Sequence, residues 1–302
     1  MSQPRVRRAV TLMDVLFSLI VAVLFGALTV AVQRGLFRGV SPTLGAMAPT
    51  AIALLVAMTI TLCSLPFGDA GDTGNLWRFA LAGLISPGLS QIVFTHAVRD
   101  AGSARVGILI GMAPVLSAVL AITVLEEPFR PGIVVATLMI VVGGIALAVG
   151  GERPKDFKLI GLVFGALASV CVAVQAIVTR WASNGTGVSP LFAALAVLGT
   201  GTLVLVGYIL VTPRRASLRE IWPAVVAFLP AGILFGLAYI GFMLAYRFGR
   251  VIIVAPLTAT QSLWTVAFAI LLIGRQREAI GPRIFVSATL VVVGGAIVGA
   301  VG

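Results

Sequence analysis

The sequence predicts an all-α polytopic membrane protein in which ten transmembrane helices form two inverted five-helix repeats. Three observations support this prediction: the composition, the spacing of the apolar runs and a match of the chain to itself. Of the 302 residues, 60% are hydrophobic and 10% are charged. A soluble domain carries about 25% charged residues. The composition therefore excludes a soluble globular protein.

Ten apolar runs are long enough to cross a membrane, because a spanning helix needs roughly 20 apolar residues. These runs, numbered here as spans 1 to 10, cover residues 10–32, 44–65, 77–98, 105–125, 132–150, 158–179, 189–212, 223–246, 251–273 and 283–301. The first run is too long for the apolar core of a cleaved signal peptide, so span 1 is predicted to be retained. Short connections, such as 33–39, 99–104 and 181–187, make consecutive spans antiparallel neighbours.

The second half of the chain repeats the first. The segment Gly39-Val40-Ser41-Pro42 recurs 148 residues later as Gly187-Val188-Ser189-Pro190. Ala97 and Arg99 recur at the same offset as Ala245 and Arg247, and Glu127, Pro131, Gly143 and Gly144 recur after 151 residues as Glu278, Pro282, Gly294 and Gly295. The ordered series predicts a duplicated five-helix unit, with one repeat in residues 1–150 and the other in 151–302.

An odd number of spans determines how the second copy enters the membrane. A five-span unit copied in tandem is inserted upside down the second time, which is the inverted-repeat design of many secondary transporters. Each half can then adopt the conformation of the other, a property that suits alternating access. The pattern therefore favours a secondary transporter over an enzyme.

Span 3 contains Ser86-Pro87-Gly88 in its middle. Proline removes one backbone hydrogen bond and pushes against the carbonyl four residues earlier, that of Gly83. Inside a membrane, a freed carbonyl is tolerated only against protein or a water-filled cavity. We therefore expect Pro87 and Gly88 to face the protein interior, and Pro114 and Pro256 indicate similar breaks in spans 4 and 9. A packing kink without a site is the alternative.

Polar side chains lie at levels of spans 3, 4, 8 and 9 that the offset of 148 residues relates to one another. The candidate substrate-binding residues are Ser90, Gln91, Ser117, Tyr239, Gln261, Ser262, Trp264 and Thr265, with Gln175 in span 6 as a weaker candidate. A glutamine in hydrocarbon is costly unless it is hydrogen-bonded. These residues therefore either line a midplane cavity or bond one helix to another, and Trp264 is either an aromatic wall or a packed side chain.

Titratable side chains inside the spans are few, and two are candidate coupling residues. Asp14, near the start of span 1, either snorkels to the headgroups or carries a proton. His96, the single histidine, either forms an interfacial hydrogen bond or relays a proton.

Other kinds of site are not predicted. The chain has no Gly-x-x-x-x-Gly-Lys-Ser/Thr loop and hence no ATP-hydrolysing domain of its own. Cys63 and Cys171 are isolated thiols, and no cofactor or metal site is expected. The net charge of +11 comes from short basic runs beside apolar segments, so lipid headgroups rather than nucleic acid are the expected partner. Gly-x-x-x-Gly pairs, including Gly161/Gly165 and Gly232/Gly236, favour packing within a monomer over a homodimer seam.

The stretch from Phe94 to Gly144 carries a further pattern. It contains Phe94-Thr95-His96-Ala97, Ala113-Pro114-Val115, Leu125-Glu126-Glu127 and Val142-Gly143-Gly144. In this order the segments resemble the EamA repeat of the drug/metabolite transporter superfamily. The second half is similar, but Ser262 stands at the position of Pro114 and the glutamate occurs only as Glu278. The resemblance implies a ten-helix exporter in a bacterial inner membrane, with amino acids, other metabolites or drugs as cargo.

Orientation and cargo stay open. Eight basic residues fall on the N-terminal face of the predicted topology and thirteen on the other, so positive-inside counting favours termini outside. The resemblance and the arginines before span 1 favour termini inside, which is our expectation. The leading hypothesis is an exporter of small metabolites such as amino acids. A drug or lipid flippase is the alternative, and a membrane enzyme acting on lipid-linked substrates is a remote one, because no catalytic cluster is present.

Overall fold

The computed structural model describes residues 3–67, 71–126, 130–148, 158–212 and 218–273, together with 286, 289–290, 293–294 and 297. All regular structure in these segments is helical. The α-helices are α1 (Gln3–Phe37), α2 (Pro42–Ser64), α3 (Leu76–Gly83), α4 (Ser90–Ala101), α5 (Ser103–Gly111), α6 (Ala113–Val124), α7 (Pro131–Ala148), α8 (Ile160–Ser183), α9 (Pro190–Val211), α10 (Leu218–Phe248), α11 (Val251–Ala259) and α12 (Gln261–Ile273). A π-helical turn, Leu84–Leu89, joins α3 to α4.

Within the described segments, seven helical stretches are long and apolar enough to cross a membrane. They are Val15–Phe37, Pro42–Ser64, Thr73–Ala101, Ile160–Ser183, Pro190–Val211, Glu220–Phe248 and Ile253–Ile273. They correspond to spans 1, 2, 3, 6, 7, 8 and 9. Span 4 is divided between α5 and α6, span 5 is α7, and most of span 10 lies outside the described residues. The count of ten therefore stays a prediction.

Several helices extend beyond the spans read from the sequence. The helix α1 begins at Gln3 and ends at Phe37, so Gln33 is helical and the connection is shorter than expected. Similarly, α8 continues to Ser183. Between α4 and α5 the connection is the single residue Gly102, whose φ of 85° is readily adopted only by glycine. A prediction from residue polarity alone placed these helix ends too early, because polar residues at a membrane interface continue the helix until a capping residue ends it.

The repeated segment Gly-Val-Ser-Pro starts a helix each time it occurs. Ser41 precedes α2 with φ −62° and ψ 146°, and Ser189 precedes α9 with φ −65° and ψ 138°. In both helices proline occupies the first turn, where its missing N–H is not needed. The same local sequence therefore produces the same helix start in both halves.

Spans 4 and 9 are interrupted at positions 148 residues apart. At Met112 the backbone N–H bonds to the carbonyl of Leu109 at 3.1 Å, and at Thr260 the N–H bonds to that of Leu257 at 3.2 Å. These are tight i→i−3 bonds in place of the helical i→i−4 bonds. The causes differ: Pro114 lacks an N–H, whereas the Thr260 hydroxyl bonds to the Leu257 carbonyl at 2.7 Å and competes with the helix.

Contacts between helix ends define two faces of the bundle. At one, called the Trp181 face, the Arg78 guanidinium lies 4.8 Å from the Trp181 ring and Arg247 Nη1 donates to the Val188 carbonyl at 2.7 Å. At the other, called the Asp100 face, Lys158 N donates to the Asp100 carbonyl at 2.9 Å. Consecutive spans thus begin and end on alternate faces, as expected for helices that cross a membrane.

The helices pack closely where glycine faces a neighbour. The Cβ of a side chain at Gly161 would lie 2.8 Å from the backbone N of Ala101, and one at Gly236 would lie 2.9 Å from the Ala53 carbonyl. Both glycines belong to Gly-x-x-x-Gly pairs, and both contact another helix of the same chain. The pairs therefore serve packing within the chain, as predicted.

Cys63 provides a test of orientation, because it lies exposed near the end of α2, on the Trp181 face. In a Cys171→Ser variant, we expect a membrane-impermeant maleimide to label Cys63 in inside-out vesicles and not in right-side-out vesicles. This outcome would place the N-terminal face in the cytoplasm. A variant without both cysteines provides the background, and labelling in right-side-out vesicles alone would place the termini outside.

Candidate functional site

Span 3 is broken where Ser86-Pro87-Gly88 occurs. Ser86 has φ −147° and ψ 123°, which is extended backbone inside the π-helical turn, and the Ser86–Pro87 peptide bond is cis. Ser86, Pro87 and Gly88 are all buried. The break packs against α9, because the Cβ of a side chain at Gly201 would lie 2.8 Å from Cδ of Pro87.

The break directs two serine hydroxyls into a buried hydrogen-bonded cluster. Ser90 Oγ donates to Ser86 Oγ at 2.7 Å, and Ser86 Oγ shares a hydrogen bond of 3.1 Å with the Tyr239 hydroxyl. Gln175 Nε2 donates to the same Tyr239 oxygen at 3.2 Å. These four residues, called here the Tyr239 cluster, join spans 3, 6 and 8. They lie at least two helical turns from the span ends.

Aromatic rings enclose the Tyr239 ring. The Phe235 ring centroid lies 4.9 Å away, that of Phe242 6.1 Å and that of Phe25 6.2 Å. These separations are typical of favourable aromatic pairs. Tyr239 therefore presents an apolar ring to α1 and α10, and its hydroxyl to the serines and Gln175.

Gln91 lies beside the cluster and is 5% exposed. Among the described residues, its Nε2 has no hydrogen-bond partner, and neither does Ser169 Oγ in α8, although Ser169 is only 4% exposed. Buried polar atoms are usually hydrogen-bonded, and an unpaired one costs free energy. Two unpaired polar atoms close to a paired cluster are therefore typical of a site that binds a ligand.

The predicted residues of spans 4 and 9 do not join this cluster through hydrogen bonds of the described residues. Ser262 Oγ donates to the Ala259 carbonyl at 3.1 Å, and Thr265 Oγ1 donates to the Gln261 carbonyl at 2.9 Å. Ser117 is buried, and its Oγ has no partner in the described part of the chain. Trp264 is 37% exposed, and its backbone packs against Gly26. We therefore place the cluster on spans 3, 6 and 8 rather than on spans 3, 4, 8 and 9.

The candidate coupling residues lie away from the cluster. The His96 ring centroid lies 5.7 Å from that of Phe164, one turn from the Asp100 face. There Arg99 binds the Asp100 carboxylate through two hydrogen bonds of 2.7 and 2.8 Å. Asp14 lies in α1, but its side chain is outside the described residues. Within the described part of the chain, no group of three His, Cys, Asp or Glu could hold a metal ion.

Ser86, Gln175 and Ser169 were missed or undervalued from the sequence. Ser86 and Ser90 stand four residues apart, a spacing that places side chains on one helix face, and this signal was available. Gln175 is the single glutamine of α8, but nothing local indicates that its partner is in α10. Such a partner depends on how the helices cross.

The fold and the buried polar cluster define the class of protein: a multi-pass helical membrane protein. Residues 12–149 match the model of the EamA-like transporter family. The match confirms the resemblance to this family, part of the drug/metabolite transporter superfamily, over residues 12–149, and it points to a transporter rather than an enzyme.

Solved structures confirm the fold. Twenty-nine chains of known structure match. One, titled only as the crystal structure of a protein, is 20% identical with a TM-score of 0.69, and the alignment covers 97% of this chain and 99% of that one. No curated protein sequence matches the chain.

Proposed function

We propose that the protein is a secondary transporter that exports small metabolites, amino acids among them, across the bacterial inner membrane by alternating access. The observation that carries the proposal is the Tyr239 cluster, which combines Ser86 from the first half with Gln175 and Tyr239 from the second. A polar cluster deep in a membrane protein is costly to maintain. A solute-binding site between two moving halves explains why the polar cluster lies deep in the membrane.

The helix packing supports the inverted repeats that alternating access requires. Helix α1 packs on α10 and on α11 and α12, whereas α8 packs on α3 and α4 and on α5 and α6. Likewise, α2 packs on α10, and α9 on α3. Exchanging residues 1–150 with 151–302 converts each contact in the first half into its counterpart in the second. The paired breaks at Met112 and Thr260 follow the same exchange.

Contacts at the Trp181 face suggest how one entrance closes. Arg180 Nη1 donates to the Tyr246 carbonyl at 3.2 Å, and Arg247 Nη1 donates to the Val188 carbonyl. Between this face and the Tyr239 cluster, Phe242 and Met243 are buried. These hydrogen bonds to carbonyls link α10 to α8 and to the segment before α9, and a hydrogen bond to a carbonyl is cheap to exchange for one to water. In this proposal, their opening admits the solute from the Trp181 face.

A transport assay tests the function. We expect proteoliposomes containing the protein to show counterflow of at least one solute from a panel of amino acids, sugars and quaternary amines. Gln91→Ala and Gln175→Ala are expected to change the kinetics of that solute, and Gln33→Ala provides the control, because Gln33 bonds Ser103 at the Asp100 face. Absence of counterflow for every solute contradicts the transporter. Unchanged kinetics in both variants contradict the site.

A further inference from the structure

The unpaired atoms of Gln91 and Ser169 lie at one level of the bundle. Helices α4 and α8 run antiparallel: Gly161 packs on Ala101, and the Phe164 and His96 rings are adjacent. Five residues further along each helix, this register brings Ser169 opposite Gln91. It continues to Gln175 and Ser86, which the Tyr239 hydroxyl joins. Six residues of helix separate Ser169 from Gln175, so the two polar levels are about 9 Å apart.

Both levels offer hydrogen atoms that no acceptor among the described residues takes. In the Tyr239 cluster, one hydrogen bond joins Ser86 and Tyr239, so only one of these two hydroxyl hydrogens is used. The other has no acceptor within the described part of the chain. At the neighbouring level, Gln91 Nε2 is a pure donor, and it is buried without a partner among the described residues. The site therefore has unused donor capacity at both levels.

The described spans provide no negative charge to neutralise an ammonium group at these levels. Their charged side chains, namely Arg34, Arg78, Arg99, Asp100, Arg180, Glu220 and Arg247, all lie near a span end. A buried ammonium group needs acceptors or a negative charge, because it has three hydrogens and no lone pair. Oxygen atoms of a solute, by contrast, satisfy the donors that are present.

We infer that Gln91 Nε2 and Ser169 Oγ bind a carbonyl or carboxylate group of the solute, that the spare hydroxyl of the Tyr239 cluster contacts the solute on its own level, and that the site rejects solutes whose polar group is an ammonium. This inference rests on the transporter proposed above and names the chemistry of its substrate. The rings of Phe25, Phe235 and Phe242 around Tyr239 provide an apolar contact for the remainder of the solute.

Three probes with the same phenyl ring test this selectivity: 3-phenylpropionamide, 3-phenylpropionate and phenethylamine. Binding to the purified full chain in detergent is measured from the concentration dependence of the thermal unfolding temperature, because a ligand specific for the folded state raises it. We expect the amide, the carboxylate or both to bind at least about tenfold more tightly than the amine, the factor of one charge-assisted or two neutral hydrogen bonds. Gln91→Leu is expected to remove most of that preference.

Gln91→Glu distinguishes recognition from a structural role, since it replaces donors with acceptors at nearly constant shape. We expect this variant to lose affinity for 3-phenylpropionamide and to gain affinity for phenethylamine. Gln33→Glu is the matched control, because it adds the same charge at the Asp100 face, where Gln33 contacts Ser103. A purely structural Gln91 would weaken all three probes equally and would not produce the gain.

The outcomes separate this inference from the transporter function. Wild-type protein that binds phenethylamine as tightly as the amide and the carboxylate overturns the inference, and so does binding of none of the three. In either case, counterflow of any solute in proteoliposomes would still support the proposed transporter function. A gain of amine affinity in Gln91→Glu but not in Gln33→Glu supports the inference.

Discussion

Tyr239→Phe is expected to reduce the transport rate at least about tenfold while the protein still folds. The substitution keeps the ring contacts with Phe235 and Phe25 but removes the hydroxyl that binds Ser86 and Gln175. The buried Gln175 amide would then be left unpaired, at a cost of about 1–3 kcal/mol, and the cluster would lose a group that contacts the solute. Counterflow in proteoliposomes and thermal unfolding in detergent measure the two effects.

Tyr208→Phe is the matched control, because it removes the same hydroxyl near the end of α9, away from the cluster. We expect it to transport normally. The double variant Tyr239→Phe/Gln175→Leu removes the amide that Tyr239→Phe leaves unpaired, so stability is expected to recover while transport does not. Recovery of both would show that the cluster only holds the helices together, and normal transport by Tyr239→Phe itself would remove Tyr239 from the site.

Gly201→Ala is expected to destabilise the protein by about 1–3 kcal/mol, the typical cost of overpacking a close-packed interior. The added methyl group would collide with Cγ of Pro87 and lie 2.8 Å from its Cδ. The proline ring is rigid and buried, so α9 or the broken turn must move. The apparent unfolding temperature and the fraction of monodisperse protein after purification report the change.

Gly199→Ala is a close control, since a single residue separates Gly199 from Gly201 on the same helix. The Cβ of a side chain at Gly199 would meet nothing within 4 Å. Alanine is favoured over glycine in a helix by about 1 kcal/mol, so Gly199→Ala is expected to be neutral or stabilising. Equal destabilisation by both variants would mean that contact with Pro87 is not what makes glycine necessary at 201.

The repeat offset predicted which positions are equivalent but did not identify contacts. It paired Gln91 with Tyr239, whereas the Tyr239 hydroxyl bonds Ser86 and Gln175. Residues related by an offset are equivalent, and equivalent residues meet only when they lie on the axis that relates the halves. Away from the axis, the contacts of each residue depend on which side chains of the crossing helix lie at its level. For Tyr239 these helices are α3, through the broken turn, and α8.

The sequence by itself determined the membrane class, most span positions, the two Ser-Pro helix starts and the interruption at Pro87. Each of these depends on interactions between residues a few positions apart, namely the i→i−4 hydrogen bonds, the missing N–H of proline and the length of an apolar run. The tertiary structure alone decided that Gln175 joins the cluster, that Ser262 and Thr265 bond to their own helix, and that Gln91 Nε2 and Ser169 Oγ are buried without partners among the described residues. These features depend on the register in which helices distant in sequence pack, and side-chain shape along the whole contact sets that register.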